Sequence, residues 1–280
     1  MEKVQCEVFP LMKAPLGGDI PLLGHGLVVK KFVDRSFCDD LIKDAEKCAR
    51  FRGGWRTKRH ENFPSTDLDL FIDFPAYVGL DVIVQVRPLV GIIKDFYKIP
   101  ESLHFNVRDL FIARYASCAQ EGLNIHNDGS HFSFVLNLSG MEEYQGGGTF
   151  FPDLSPDMSE AERGKNIRLD KGDIIMFPGG MVPHASKNVL AGERYIVAGF
   201  VHFASVQRGI SAHVEHKAQM LTSQVSKLGM QASDLANSFS ALMGDGSMTK
   251  QPVIEHRQVY ESYLDELSKL TFKWKALESI

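Results

Sequence analysis

The run Asn124-Ile-His126-Asn-Asp128-Gly129, followed later by His184 and Arg194, gathers the residues best able to do chemistry in this chain. His126 and Asp128 stand two positions apart, so on an extended backbone both side chains project to the same side. That presents an imidazole and a carboxylate to one metal ion. A second imidazole, His184, would close one face of an octahedron and leave three positions open. Two histidines and one carboxylate arranged in this way are the ligand set of non-haem Fe(II) centres that activate oxygen. A bare His-x-Asp arises by chance in many proteins of this size, so the weight falls on the elements around it.

Those elements read as short strands separated by glycine turns. From His131 to Ser139, Phe132, Phe134, Leu136 and Leu138 face one way, and Ser133, Val135 and Asn137 the other. Tyr144–Pro152 reads as a Gly146-Gly-Gly148 turn feeding a second strand, and Lys171–Gly179 as a third, entered through Lys-Gly-Asp. Glu193–Phe203 is a fourth, preceded by Ala191-Gly192 and opened by Arg194. His184 falls in the loop between the third and fourth. Strands at this spacing without intervening helices predict a β-sandwich or jelly roll.

Arg114-Tyr115, His126-x-Asp128, Gly146-Gly-Gly-Thr149-Phe, Lys171-Gly-Asp173, His184 and Gly192-Glu-Arg194-Tyr follow one another in this order, with Arg194 ten positions after His184. In this arrangement the stretch from about Phe105 to Phe203 resembles the catalytic domain of the Fe(II)/2-oxoglutarate-dependent dioxygenases, nearest to the branch holding prolyl 4-hydroxylases and lysyl hydroxylases. The resemblance is strong over the central third of the chain and weak over the preceding hundred residues. It implies an α+β fold with a double-stranded β-helix (jelly-roll) core at 105–205. Supporting helices in 1–104 complete a dioxygenase domain at 1–205, and 206–280 form a C-terminal helical extension.

The resemblance also implies roles. His126, Asp128 and His184 would hold Fe(II), and 2-oxoglutarate would chelate it beside the site for O2, yielding succinate and CO2. Ascorbate is a candidate addition. Arg194 suits the distal carboxylate of 2-oxoglutarate because a planar guanidinium can make a bidentate, charge-assisted pair. Tyr115 is set by alternation on the cosubstrate side with Ala113 and Phe111, opposite Arg114, and Thr149 is a candidate lining residue. Many related hydroxylases carry a tyrosine on the strand after His-x-Asp; here Phe134-Val-Leu-Asn137 offers no hydroxyl at that place. His131 and His202 read as strand residues rather than ligands. Halogenating relatives replace the carboxylate by a small residue, so Asp128 favours oxygen insertion. Desaturation, cyclisation or epoxidation would use the same triad.

The flanking regions supply support. Gly26–Val33 predicts a strand and Asp34–Arg50 a helix with Phe37, Leu41, Ile42, Ala45 and Cys48 as its apolar stripe and Asp34 or Ser36 as N-cap. A second helix is expected over about Asp81–Tyr97, crossed by Pro88. The irregular segment Gly54–Asp67, with Trp55 and His60, is either a surface loop or a cover for the site, and the acidic stretch Pro152–Lys165 is a second candidate lid. Toward the C-terminus, Leu221, Val225, Leu228, Ala232, Leu235, Phe239 and Leu242 form one seam. Tyr260, Tyr263, Leu267, Leu270, Trp274 and Leu277 form another, after a loop at Gly244–Pro252. These predict two amphipathic helices, either folded back onto the domain or meeting a second copy in a homodimer.

The composition fits a folded enzyme: 280 residues, 44% hydrophobic and 24% charged, with a net charge of −4 that offers nucleic acid no basic field. The four cysteines lack Cys-x-x-Cys spacing. No signal peptide or bilayer-spanning run is read, so a cytoplasmic enzyme without a membrane partner is expected. The expected substrate is an amino-acid unit hydroxylated at an aliphatic carbon, as peptidyl proline or lysine or as a free amino acid. A small-metabolite oxygenase and a non-enzymatic interaction protein with a vestigial site are the alternatives.

Overall fold

Alternating apolar and polar residues between Phe105 and Phe203 become the strands of two antiparallel sheets. The computed structural model describes residues 5–13, 19–60, 63–100, 103–155, 164–203, 212–244 and 250–276, without side-chain surroundings at 212–221, 239–244, 250–253 and 271–276. The larger sheet holds β1 (Cys6–Pro10), β2 (His25–Val29), β3 (Asp67–Asp69), β4 (Phe105–Ala116), β6 (Phe132–Asn137), β10 (Ile174–Phe177) and β12 (Val189–Phe203). Their order is β1-β2-β10-β6-β12-β4-β3, and β7 (Tyr144–Gly146) also pairs with β12. The smaller sheet, in the order β5-β11-β8-β9, holds β5 (Leu123–His126), β8 (Thr149–Pro152), β9 (Gly164–Ile167) and β11 (His184–Ser186).

Helices and antiparallel strands are mixed: α1 (Arg35–Arg52) falls between β2 and β3, two further helices fall between β3 and β4, and two more follow β12. The α1 helix (Arg35–Arg52) buries Cys38, Leu41, Ala45 and Ala49 and ends where Gly53 takes a left-handed φ of 81°, the conformation a helix C-terminus favours in glycine. Asp34 occupies the N-cap position but makes no side-chain cap bond. The expected helix over Asp81–Tyr97 is two: α2 (Ala76–Val86) and α3 (Pro88–Tyr97), divided because Pro88 has no N–H to continue the ladder and suits a first helical turn. Together they correct the expectation that no apolar run is long enough for a bilayer. Taken end to end, the two helices span the 22 residues Ala76–Tyr97, long and apolar enough by length and composition. The charged residues Asp81, Arg87, Lys94 and Asp95 break the run as read in sequence, and only a third of the apolar window is buried. Its outer face leaves Tyr77, Leu80 and Val84 exposed.

The C-terminal helices α4 (Ala212–Gly244) and α5 (Lys250–Ala276) fold back on the sheets. Val225, Leu228, Ala232 and Leu235 of the first seam and Tyr260, Tyr263, Leu267 and Leu270 of the second are buried in the same hydrophobic cluster as the strands. Leu221, Phe239, Leu242, Trp274, Leu277 and the loop at 245–249 lie outside the described side chains or residues, as does most of the acidic stretch after Pro152. Tyr260 donates its hydroxyl to the Lys13 carbonyl at 2.8 Å, and His256 Nε2 bonds the Leu154 carbonyl at 2.8 Å.

Candidate active site

Cross-strand register brings the two histidines together. His126 ends β5 and His184 begins β11, and they are direct antiparallel partners with ring centroids 4.5 Å apart. The expectation that His184 sits in a loop is thereby corrected: it starts a three-residue strand held on one side by β5 and on the other by β8. Such a short strand has too little alternation to read in sequence. Asp128 lies two residues beyond His126, with its backbone N–H donating to the Gly179 carbonyl at 3.0 Å. Its Oδ1 is 3.4 Å from His126 Nε2 and its Oδ2 is 3.2 Å from His184 Nε2.

The second nitrogen of each ring is committed elsewhere. His126 Nδ1 donates to the Asn124 carbonyl at 2.8 Å, and His184 Nδ1 to the Val182 carbonyl at 3.0 Å. This leaves Nε2 of each ring facing the carboxylate, the nitrogen that would give up its proton and bind a metal there. The three ligand atoms lie within 4.8 Å of one another. Burial alone would push the Asp128 carboxyl up, but the His184 and His126 rings outweigh it and hold it well below the usual carboxylate range. Burial works against charge on His126, and Asp128 more than offsets it, so this ring is raised. The cluster thus has the electrostatics of a site that stabilises a negative carboxylate with positive charge beside it. The donor set fits a divalent metal.

Beneath Asp128, Ser133 donates its hydroxyl to Oδ2, and Ser130 bonds Ser133 at 2.7 Å. Gly179 is obligatory here, since a Cβ would collide with Ser133 Oγ and come within 2.6 Å of Asp128 Oδ2. His131 and His202 stand apart from the triad. His131 is buried, accepts from the Phe203 N–H at Nδ1 and contacts Thr222 Oγ1 through Nε2 at 3.1 Å.

The triad opens into a cavity of about 580 Å³ between the two sheets. Arg194, Tyr115 and Thr149 line it as well, so all six residues singled out in the sequence border one space. Strand β12 begins at Val189, so Arg194 lies inside it rather than opening it, directly opposite Tyr115 on β4. The guanidinium is 1% exposed. Its Nε donates to Asn137 Oδ1 and its Nη1 to Ser186 Oγ, both at 3.2 Å, while Nη2 has no hydrogen-bond partner among the described residues. Burial lowers the Arg194 pKa and raises that of Tyr115. A buried cation bonded only to neutral oxygens is costly unless an anion joins it. The pocket therefore fits a carboxylate beside Arg194.

Sequence reading missed Ser133, Ser186 and Asn137. The signal was available for two of them: Ser133 and Asn137 break an apolar strand on one face, and four residues of strand, about 13 Å, separate them. One holds Asp128 and the other holds Arg194. Arg59, His60, Phe63, Phe111 and Phe200 also line the cavity, with the Phe63 ring 5.0 Å from that of His126. Arg59 Nε donates to Asp67 at 2.6 Å and its Nη1 to Asp109 at 2.9 Å, with the guanidinium 4.4 Å above the Phe111 ring. His60 is held below its ordinary pKa by burial and by Arg59. The irregular segment is thus part of the cavity wall, with Trp55 donating to Glu46 at 3.2 Å at its base.

No protein-family model matches the chain. No curated protein matches it. Among solved structures, it is similar to a viral collagen prolyl hydroxylase from Paramecium Bursaria Chlorella virus-1 in complex with 2-oxoglutarate, at 19% identity and a TM-score of 0.44, over 63% of this chain and 94% of that one. A prolyl-4-hydroxylase from Pseudomonas putida aligns at 16% identity, over 64% and 92% of the two chains, with a TM-score of 0.44. HygX from Streptomyces hygroscopicus, solved with nickel and 2-oxoglutarate, aligns at 12% identity, over 63% and 81%, with a TM-score of 0.46. At these values the likeness names similar chains, and what the site can do rests on its own residues.

Proposed function

We propose that this chain is an Fe(II)- and 2-oxoglutarate-dependent dioxygenase whose two sheets are the faces of a double-stranded β-helix. His126, Asp128 and His184 would hold the iron, and Arg194, with the Tyr115 and Thr149 hydroxyls, would receive the distal carboxylate of 2-oxoglutarate. The carrying observation is the paired orientation of His126 and His184 toward Asp128, in one cavity with a buried arginine that has no anionic partner among the described residues. Bound iron with 2-oxoglutarate would supply the oxidising power, coupled to succinate and CO2 formation. The protein's own part is to fix the imidazole tautomers, exclude bulk water around Arg194 and aim a substrate carbon at the open face.

We infer hydroxylation of an aliphatic carbon in an amino-acid unit, peptidyl or free, as the reaction. Support comes from the intact carboxylate ligand, the size of the cavity and its aromatic lining at Phe63, Phe111 and Phe200. The test is a panel of proline and lysine peptides, free amino acids and extract metabolites, read by mass spectrometry with matched succinate formation. Gain of one oxygen is expected. A product lighter by two hydrogens with no added oxygen would instead identify a desaturase or cyclase. Replacing His126, Asp128 or His184 by Ala should abolish succinate formation while the protein still folds. Full turnover by the His184 variant would remove that residue from the ligand set.

A further inference from the structure

The turn Pro178–Val182 belongs to no strand, yet it positions two of the three triad residues. The Gly179 carbonyl accepts from the Asp128 N–H, and the Val182 carbonyl accepts from the His184 ring, each at 3.0 Å. Within the turn, the N–H groups of Met181 and Val182 both reach the Pro178 carbonyl at 2.9 Å. On its inner side Gly180 lies so close to the Ser130 carbonyl that a Cβ would overlap it. Two further contacts come from the outside, one from each C-terminal helix. Gly229, in the middle of α4, approaches the turn so closely that a Cβ would overlap the Gly180 carbonyl oxygen. Tyr263, buried in α5, donates its hydroxyl to the Met181 carbonyl at 2.6 Å. Seven residues before Gly229, Thr222 meets His131, so α4 is also tied to the segment carrying Ser130 and Ser133.

We propose that the C-terminal helical hairpin is a positioning element of the metal centre. Gly229 and Tyr263 hold the 178–182 turn in place, and the turn's carbonyls hold the Asp128 backbone and the His184 ring. This rests on the reading of the triad as a metal site. Neither residue touches a ligand atom. Gly229 acts by having no side chain, which lets helix backbone and turn backbone meet. Tyr263 acts by satisfying a buried carbonyl that would otherwise be free to rotate away. Without these braces the ligand geometry loosens while the sheets persist.

The experiment uses the full chain and Co(II) alone as the probe, with the dissociation constant taken from calorimetry and unfolding followed without metal. Tyr263→Phe keeps the ring and removes only the hydroxyl, and it should raise the Co(II) dissociation constant roughly 10- to 100-fold, the loss typical of a partner that orients a metal ligand. Gly229→Ala should act in the same direction, although alanine favours helix over glycine. Tyr260→Phe is the control. It removes a hydroxyl bond to Lys13 from the same helix, away from the turn, and should leave Co(II) affinity unchanged. Wild-type affinity in folded Tyr263→Phe overturns the proposal, as does an equal loss in Tyr260→Phe. If Gly229→Ala does not fold, Tyr263→Phe decides alone. A wild-type chain that binds no Co(II) overturns the metal reading itself, a different result from a normal wild type with insensitive variants.

Discussion

Arg194 is the residue where burial and charge are most at odds. Arg194 is nearly sealed and bonded to the neutral side chains of Asn137 and Ser186, with no carboxylate paired to it among the described residues, so an incoming dicarboxylate gains a full countercharge. A charge-assisted bond is worth roughly 1.5–3 kcal/mol, about 10- to 150-fold in affinity. Arg194→Met should weaken 2-oxoglutarate binding by that factor in calorimetry of the metal-loaded chain, and a change below about twofold would remove it as the anchor. The ligand should also protect the fold: at a hundred times its dissociation constant it adds about 2.7 kcal/mol, or roughly 5–10 °C in melting temperature. At the same ligand concentration that increment should fall to about 0.3–1.4 kcal/mol in Arg194→Met. Under the metal, Ser133→Ala should raise the metal dissociation constant about tenfold, since Asp128 would lose its bonded hydroxyl. His126, Asp128, His184 and Arg194 were legible because their types and spacings are specific. Ser186 was not, because its meaning comes from the pairing that sets it beside Arg194, which no local pattern encodes.

Among the elements, the strands from Phe105 to Phe203 were legible through period-two alternation, and α1 through its apolar stripe. The misreadings share a cause. Strands of three residues, such as β11, carry no period, and they exist only because β5 and β8 supply partners on both sides. The segment at 54–67 looked irregular because its order comes from ion pairs across distant positions, Arg56 with Asp73 at 2.6 Å and Arg59 with Asp67 and Asp109. Glycine was the other hidden signal. Gly180→Ala should destabilise the protein by more than about 2 kcal/mol in urea unfolding, because backbone rather than a movable side chain stands in the way. An unchanged unfolding midpoint would mean that the turn can shift without strain.

At the scale of the molecule, α4 is joined to the large sheet through His131, and this junction gives the fold a pH dependence. The ring is buried and its pKa is pushed down to about 3 by burial, with His202 and Arg108 adding to the shift. An unfolded histidine titrates near 6.5, so the unfolded chain takes up a proton first. The stability conferred by the neutral ring is complete above about pH 6.5 and is lost as pH falls toward 3, at about 1.4 kcal/mol per unit. Urea unfolding between pH 6 and pH 4 should show that slope in the wild type and a shallower one in His131→Gln; equal slopes would exonerate His131. The hairpin's helices could be read from their seams, but not their target, because a seam records that a surface is covered and not by what. The cavity between the sheets carries a last consequence, one of traffic. Arg194 lines it and is 1% exposed, whereas Phe63, on the same lining, is 39% exposed. If the side at Phe63 is the door, the guest of Arg194 must enter before a substrate seated there and leave after it. Chains preloaded with substrate should therefore take up 2-oxoglutarate more slowly in stopped-flow mixing than empty chains, and equal uptake rates would reveal a second door.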